Sequence, residues 1–387
     1  MGHRAAIVGA GHTRFGVLEA GPRALLRSAV SAAFASVDHG AAPRDVGEAF
    51  LASLGFGGWQ IGNASAVLGE EAGAVGVPTT RVENACASGG FALRAAVRAI
   101  EAGARGLVLV AGVEKMTDVA SARRRYWLGV SGDTEWERLA GLTFAGVYGL
   151  IASHYLFEHR LGPEALAEVA VKNHENGTLN PNAHFQKRVS REEVLRSARV
   201  ADPLGLFDCC PVSDGAAALL LAPADSARRY TDTPVYVDGL GAASDHLAVQ
   251  ERPELTRFEA TRRAADEAFR GAGWGRSEVS FLEVHDCFTI AELLALEDLG
   301  FAGPGEAAAL TLSGATRRTG RLPTNPDGGL KAKGHPIGAT GVSQLYEVFL
   351  QLRRAAGARQ VPEAVRALAH NVGGAGATAT VSLLSGG

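Results

Sequence analysis

The chain has 387 residues, 47% apolar and 20% charged, which is enough apolar material for a large core and excludes a disordered or collagen-like polymer. Lysine and arginine total 38 against 41 aspartates and glutamates, a formal charge of -3, so the basic excess of a general nucleic-acid binder is missing and a small-molecule role is expected. Apolar stretches such as 215–222 fall short of the ~18 residues that cross a bilayer, and four cysteines without a CxxC pair leave no disulfide framework, zinc ribbon or thioredoxin-type site.

The apolar run 5–10 reads as a first strand, and Arg14 follows too soon for an export signal, so a cytoplasmic location is expected. Residues 82–113 read as a Gly-rich turn, an amphipathic helix carrying Phe91, Leu93, Val97 and Ile100 on one side, and a strand at 106–113. Residues 116–210 read as irregular, with Arg123-Arg124-Arg125-Tyr126-Trp127 and 173–186 among short helical patterns. So long an excursion is expected to line a site or an interface. A strand at 216–222 gives way near 223–234 to polar, Pro-containing chain, after which 235–237 opens a second half. There the grammar repeats: a Gly-rich turn from Gly328, a helix over 342–354 and a strand at 377–384. The chain is therefore expected to be α/β, with two related halves, 1–228 and 229–387, and 116–210 as an insertion in the first.

Four segments carry chemistry. Asn84-Ala85-Cys86-Ala87-Ser88-Gly89 directly precedes the first amphipathic helix, and a thiol at a helix N-terminus is expected to have its pKa lowered from about 8.5 toward neutrality. An inert core thiol would fit the same local pattern. His335, in Gly334-His335-Pro336, sits on a rigid turn suited to a general base, though a lone histidine there would more often be structural. Glu283-Val284-His285-Asp286-Cys287-Phe288-Thr289 places His285 and Cys287 at a strand-to-helix turn, with Thr289 and Glu292 at capping-box spacing. Metal ligation by His285 and Cys287 lacks a second ligand pair, so no metal is expected. His370-Asn371-Val372-Gly373-Gly374 leads into a strand, unlike a dinucleotide loop, and Gly9-Ala10-Gly11 meets Arg14 where that fingerprint needs its third glycine. The late glycines instead suit close approach of backbone N–H groups to a ligand.

In this order and at these separations, Asn84-Ala85-Cys86-Ala87-Ser88-Gly89, His285-Asp286-Cys287-Phe288, Gly334-His335-Pro336 and Asn371-Val372-Gly373-Gly374 resemble a thiolase over essentially the whole chain. The likeness is closest to the sterol-carrier-protein-type and archaeal acetoacetyl-CoA thiolases, and it extends to Glu114-Lys115-Met116-Thr117-Asp118, Val171-Lys172-Asn173-His174 and Asn182-Ala183-His184-Phe185. The resemblance implies a five-layered αβαβα fold of two pseudo-symmetric halves, assembled as dimers or tetramers. Coenzyme A thioesters are the implied cosubstrate, and no tightly bound cofactor is expected.

By the same resemblance Cys86 becomes acylated, His335 activates it, His335 and His285 polarise a thioester oxygen, and the backbone N–H groups of Cys86 and Gly373 form an oxyanion hole. Two departures stand out: His285-Asp286-Cys287-Phe288 replaces Asn-Glu-Ala-Phe, and Asn371 stands where many thiolases carry their second acid–base cysteine. Asn371 cannot shuttle that proton, which makes Cys287 the natural substitute. Competing readings are C-acylation of a non-CoA acceptor, retro-aldol cleavage of a side-chain acyl-CoA, and a catalytically silent acyl- or lipid-binding subunit. Arg123, Arg124, Lys187 and Arg188, or Arg317-Arg318, suit CoA phosphates, although solvated surface would carry the same residues. Archaeal relatives also imply a small zinc-ribbon and oligonucleotide-binding-fold partner.

Overall fold

The computed structural model describes residues 5–55 and 58–387. Among them lie strands β1 (Ala5–His12), β2 (Val46–Ala52), β3 (Thr79–Val82), β4 (Leu107–Glu114), β5 (Arg199–Ala201), β6 (Leu204–Gly205), β7 (Gly215–Pro223), β8 (Val235–Ser244), β9 (Phe281–Glu283), β10 (Arg366–Gly373) and β11 (Thr378–Gly386). Nine of them order as β3-β2-β4-β7-β1-β8-β11-β10-β9, and β5 with β6 forms a separate ribbon.

The order contains a repeat. From β1 through β7 and β4 to β2 the pairings run antiparallel, antiparallel, parallel. From β8 through β11 and β10 to β9 they run the same way. The two half-sheets meet where Ala5, Ala6 and Ile7 pair with Val237, Tyr236 and Val235. Helices at equivalent places complete the likeness: Pro22–Ala35 follows β1 as Glu259–Ala272 follows β8, and Ser88–Glu101 precedes β4 as Thr340–Leu352 precedes β10.

Helix Glu259–Ala272 shows why such segments form. Ala264, Ala265, Ala268 and Phe269 recur at helical spacing on the buried side, with Arg262, Arg263 and Arg270 opposite, and Gly273 ends it in the left-handed region at φ +71°. Its approach to β8 requires glycines, because a Cβ at Gly241 would fall on the Ala264 carbonyl, and one at Gly239 on that of Ala268. Gly9 and Gly11 on β1 do the same for Pro22–Ala35, where a Cβ would meet the Ala33 and Ala29 carbonyls. The early glycines that imitate a nucleotide fingerprint are thus packing residues.

Three apolar clusters separate the layers. One joins Pro22–Ala35 and helix Ala64–Glu71 to the first half-sheet. A second surrounds the central helices, with Leu93, Val97 and Ile100 from the first half and Val342, Leu345 and Phe349 from the second. A third covers the second half-sheet with Glu259–Ala272, Thr289–Asp298 and Phe144–Glu158. Helix layers thus alternate with the two half-sheets in an α/β arrangement, as expected.

Two expectations need correction. Residues 116–210 are not mainly irregular: they hold helices Ser121–Gly129, Phe144–Glu158, Glu164–Gly177 and Arg191–Leu195. Phe144–Glu158 escapes periodicity because it is apolar nearly all round, burying Val147, Tyr148, Ile151, Ala152 and Tyr155 while exposing Leu150 and Phe157. Thr289 and Glu292 do not form a capping box. Thr289 is already helical, its hydroxyl donates to Asp208 Oδ1 at 2.7 Å, and the buried Glu292 pairs with Lys172 at 2.9 Å.

Candidate active site

Cys86 sits on a tight turn between β3 and helix Ser88–Glu101. Ala85, just before it, takes the left-handed conformation at φ +49°, which costs a non-glycine residue about 1–2 kcal/mol. Side chains hold the turn closed. Ser88 Oγ accepts the Asn84 N–H at 3.0 Å and donates to the Ala85 carbonyl at 2.6 Å, while Glu83 accepts the Ala85 N–H at 2.6 Å. Cys86 keeps part of its surface open to a cavity.

The expected low thiol pKa is not what the structure gives. Burial, then the neighbouring Cys210 and Glu114, push the Cys86 thiol well above its ordinary value. Hydrogen bonds from the Gly374 and Cys86 N–H groups act the other way and do not prevail. The Gly374 N–H is thus the neighbouring backbone donor that acts most on the sulfur. Gly373 ends β10, and a Cβ there would crowd the Asn84 carbonyl and Thr378.

His335 Nε2 lies 3.2 Å from Cys86 Sγ. Its tautomer follows from its neighbour. Thr340 Oγ1 donates its proton to the Pro336 carbonyl at 2.9 Å, so at 2.6 Å from His335 Nδ1 it accepts the ring N–H. That leaves a lone pair on Nε2, facing the thiol. Burial, then the charge of Lys333, lowers the His335 pKa to about 3, so the ring is neutral at any physiological pH.

Asn371 performs the converse service for His285. Its Oδ1 accepts the Gly90 N–H at 3.1 Å and its Nδ2 donates to the Cys86 carbonyl at 2.8 Å, which settles the amide orientation. The second Nδ2 proton, 3.2 Å from His285 Nδ1, makes that nitrogen an acceptor and places the ring proton on Nε2. His285 Nε2 is buried and, among the described residues, has no hydrogen-bond partner. Cys86 Sγ and a ring nitrogen from each of His285 and His335 lie within 4.8 Å of one another, and the rings stand edge to face at 5.2 Å. Three such ligands could hold a soft cation, but a His285 fixed as an Nε2–H donor suits an oxyanion instead.

Asp286 ties the two histidine-bearing turns together. It accepts the Leu330 N–H at 2.6 Å, the Lys331 N–H at 3.3 Å and the Asn173 side chain at 2.7 Å. Asn182-Ala183-His184-Phe185 pins the same turn, because the His184 and Phe185 N–H groups donate to the Lys333 and Ala332 carbonyls at 2.9 Å each. These segments within residues 116–210 act as scaffolding.

Cys287 and Cys86 line one cavity of about 390 Å³, together with Met116, Leu142, Phe144, Tyr148, Val212 and Ile337. Cys209 and Cys210 line it as well. Burial, then the proximity of Cys86, pushes the Cys287 thiol far up, against a hydrogen bond from Tyr148. None of Arg123, Arg124, Lys187 and Arg188 lines this cavity. Arg123 stands beside Gly58, Arg124 donates to the Val119 carbonyl at 3.3 Å, Lys187 is exposed, and Arg188 pairs with Glu175 at 3.4 Å. Arg317 pairs with Glu168 and Glu175, and Arg318 donates to the Gln360 carbonyl. Arg125 and Arg138 are the basic side chains on the cavity wall. Sequence reasoning missed Thr340 and Tyr148. The first has a weak signal in its spacing from His335, and the second has none.

The family model described as the thiolase N-terminal domain matches residues 5–225, and the one described as thiolase C-terminal domain-like matches 241–386. The chain belongs to the thiolase family. It is 44% identical to an acetyl-CoA acetyltransferase of Methanothermobacter thermautotrophicus, covering 98% of this chain and 99% of that one. It is 35% identical to sterol carrier protein 2 of Gallus gallus, over 79% of this chain and 58% of that longer protein. It is also 33% identical to the benzoylsuccinyl-CoA thiolase subunit BbsB of Thauera aromatica, over 77% of each. A solved structure of an Ltp2-ChsH2(DUF35) aldolase shares the fold, with a TM-score of 0.87 at 23% identity over 98% of this chain and 97% of that one. Among the described residues no helix is long and apolar enough to cross a membrane.

Proposed function

We propose that this chain is a CoA-dependent thiolase that forms or cleaves a C–C bond through an acyl-Cys86 intermediate. The observation that carries the reading is the 3.2 Å contact from Cys86 Sγ to a His335 nitrogen whose lone pair is set by Thr340. His335 takes the thiol proton as Cys86 attacks a thioester and returns it to the departing CoA sulfur; the Cys287 thiol then yields its proton to the freed His335, becoming a thiolate. That thiolate removes a proton from the α-carbon of a second thioester, whose enolate oxygen is held by the His285 and His335 N–H groups. The enolate attacks acyl-Cys86, and the released Cys86 sulfur recovers its proton from His335. Protons balance with no metal.

Retention of both cysteines and both histidines favours thioester chemistry over retro-aldol cleavage. The decisive assay is turnover of acetoacetyl-CoA plus CoA by the wild type, Cys86→Ala and Cys287→Ala. Both variants are expected to lose turnover, while Cys287→Ala still shows an acyl group on Cys86 by intact-mass spectrometry. Full activity in Cys86→Ala would overturn the reading. A second copy of the chain and a small zinc-ribbon partner completing the CoA channel belong to the same proposal; a relative named as a thiolase subunit supports association with another chain in general. Full activity of the purified chain at micromolar CoA would remove the need for that partner.

A further inference from the structure

Tyr148 enters the cavity from helix Phe144–Glu158, which Thr143 caps by accepting the Gly146 N–H at 3.1 Å. Its ring is fully buried, stacked on Phe288 at 4.5 Å and 23° and edge-on to Phe258 at 6.4 Å. A phenylalanine would make all of those contacts. The hydroxyl needs a reason of its own, because burying one without a good partner costs about 1–3 kcal/mol. Its contact with the Gly374 carbonyl is long, at 3.4 Å. The same hydroxyl interacts with the thiol of Cys287, the residue next to the stacked Phe288, and the two side chains line one cavity with Cys86. The phenol therefore stands between Cys287 and the backbone of Gly374, on the wall that also carries Cys86.

We infer that Tyr148 is a positioning residue for proton transfer at the substrate α-carbon, holding the Cys287 sulfur and donating its O–H to the thiolate form. The inference rests on the acyl-Cys86 reading. A thiolate at position 287 lies in an apolar pocket beside Cys86 and Asp286, both of which disfavour negative charge there. A single O–H donor swings from the Gly374 carbonyl to the sulfur when that charge forms, and back when the sulfur is reprotonated. A hydrogen bond to a charged group contributes about 1.5–3 kcal/mol, equivalent to about 10- to 150-fold in an equilibrium or a rate.

The experiment compares the wild type with Tyr148→Phe in two steps of one reaction: acylation of Cys86 by acetyl-CoA, read by intact mass, and exchange of the acetyl-CoA methyl protons in D2O, read on the released thioester. Acylation is expected to stay within about threefold. Exchange is expected to fall about 10- to 100-fold, with its pH profile moved upward. Equal exchange in both proteins overturns the role of Tyr148 and leaves the acyl-cysteine reading standing. Equal losses in both steps, or a large drop in melting temperature, assign Tyr148 a packing role and overturn it as well. A wild type that never acylates Cys86 overturns the acyl-cysteine reading and this inference together.

Discussion

Two imidazoles of the same residue type carry their protons on opposite nitrogens relative to their supports, and that difference divides their labour. His335, with its Nδ1–H given to Thr340, offers a base; His285, with Nδ1 occupied by Asn371, offers a donor. Thr340→Val removes the group that holds the base tautomer and is expected to lower kcat by about 10- to 100-fold with little change in fold, as measured by steady-state kinetics and circular dichroism. The ionisation of the pair is equally testable. Burial raises the Cys86 thiol and brings His335 down to about 3, so between those values both are neutral. Alkylation of Cys86 by iodoacetamide is therefore expected to climb with pH through about pH 5–8 without levelling. A plateau near pH 6 would reveal a preformed thiolate–imidazolium pair.

The turns that bear these groups are held by a few buried polar side chains. Asp286 supports the turn that carries His335 by accepting two backbone N–H groups at 2.6 and 3.3 Å. Asp286→Ala strands those donors together with the Asn173 amide. The expected cost is about 3 kcal/mol of stability in a denaturant titration, with a fall in kcat that exceeds any change in KM. The central helices meet through Gly89, where a Cβ would stand 2.6 Å from the Val342 nitrogen. Gly89→Ala is expected to cost about 1–3 kcal/mol, read as a lower melting temperature, because backbone on both sides leaves no side chain to yield.

The site is shared between the two halves. Cys86 comes from the first, while His285, Cys287, His335 and Asn371 come from the second, and the middle apolar cluster draws on both. Either half alone exposes that cluster to water. Residues 1–228 and 229–387 expressed separately are expected to aggregate, whereas co-expression yields soluble, active enzyme, measured by fractionation and thiolysis rate. Active, soluble 1–228 on its own would contradict a shared core.

Patterns with a local cause were open to reading along the chain. A glycine-rich turn ahead of an amphipathic helix marks Cys86, and the recurrence of turn, helix and strand marks the repeat of half-sheets, because backbone sterics and burial of one helix face act over a few residues. Helix Phe144–Glu158 escaped because its apolar residues cover nearly every side, and Tyr148 on it carries no local sign of facing Cys287. The ionisation of Cys86 is not written locally for a related reason: a helix terminus acts over one turn, whereas desolvation sums over every element packed around the sulfur. Distances of 3.2 Å between groups 249 residues apart, and the tautomers that make them useful, exist only once the two halves close on a common core.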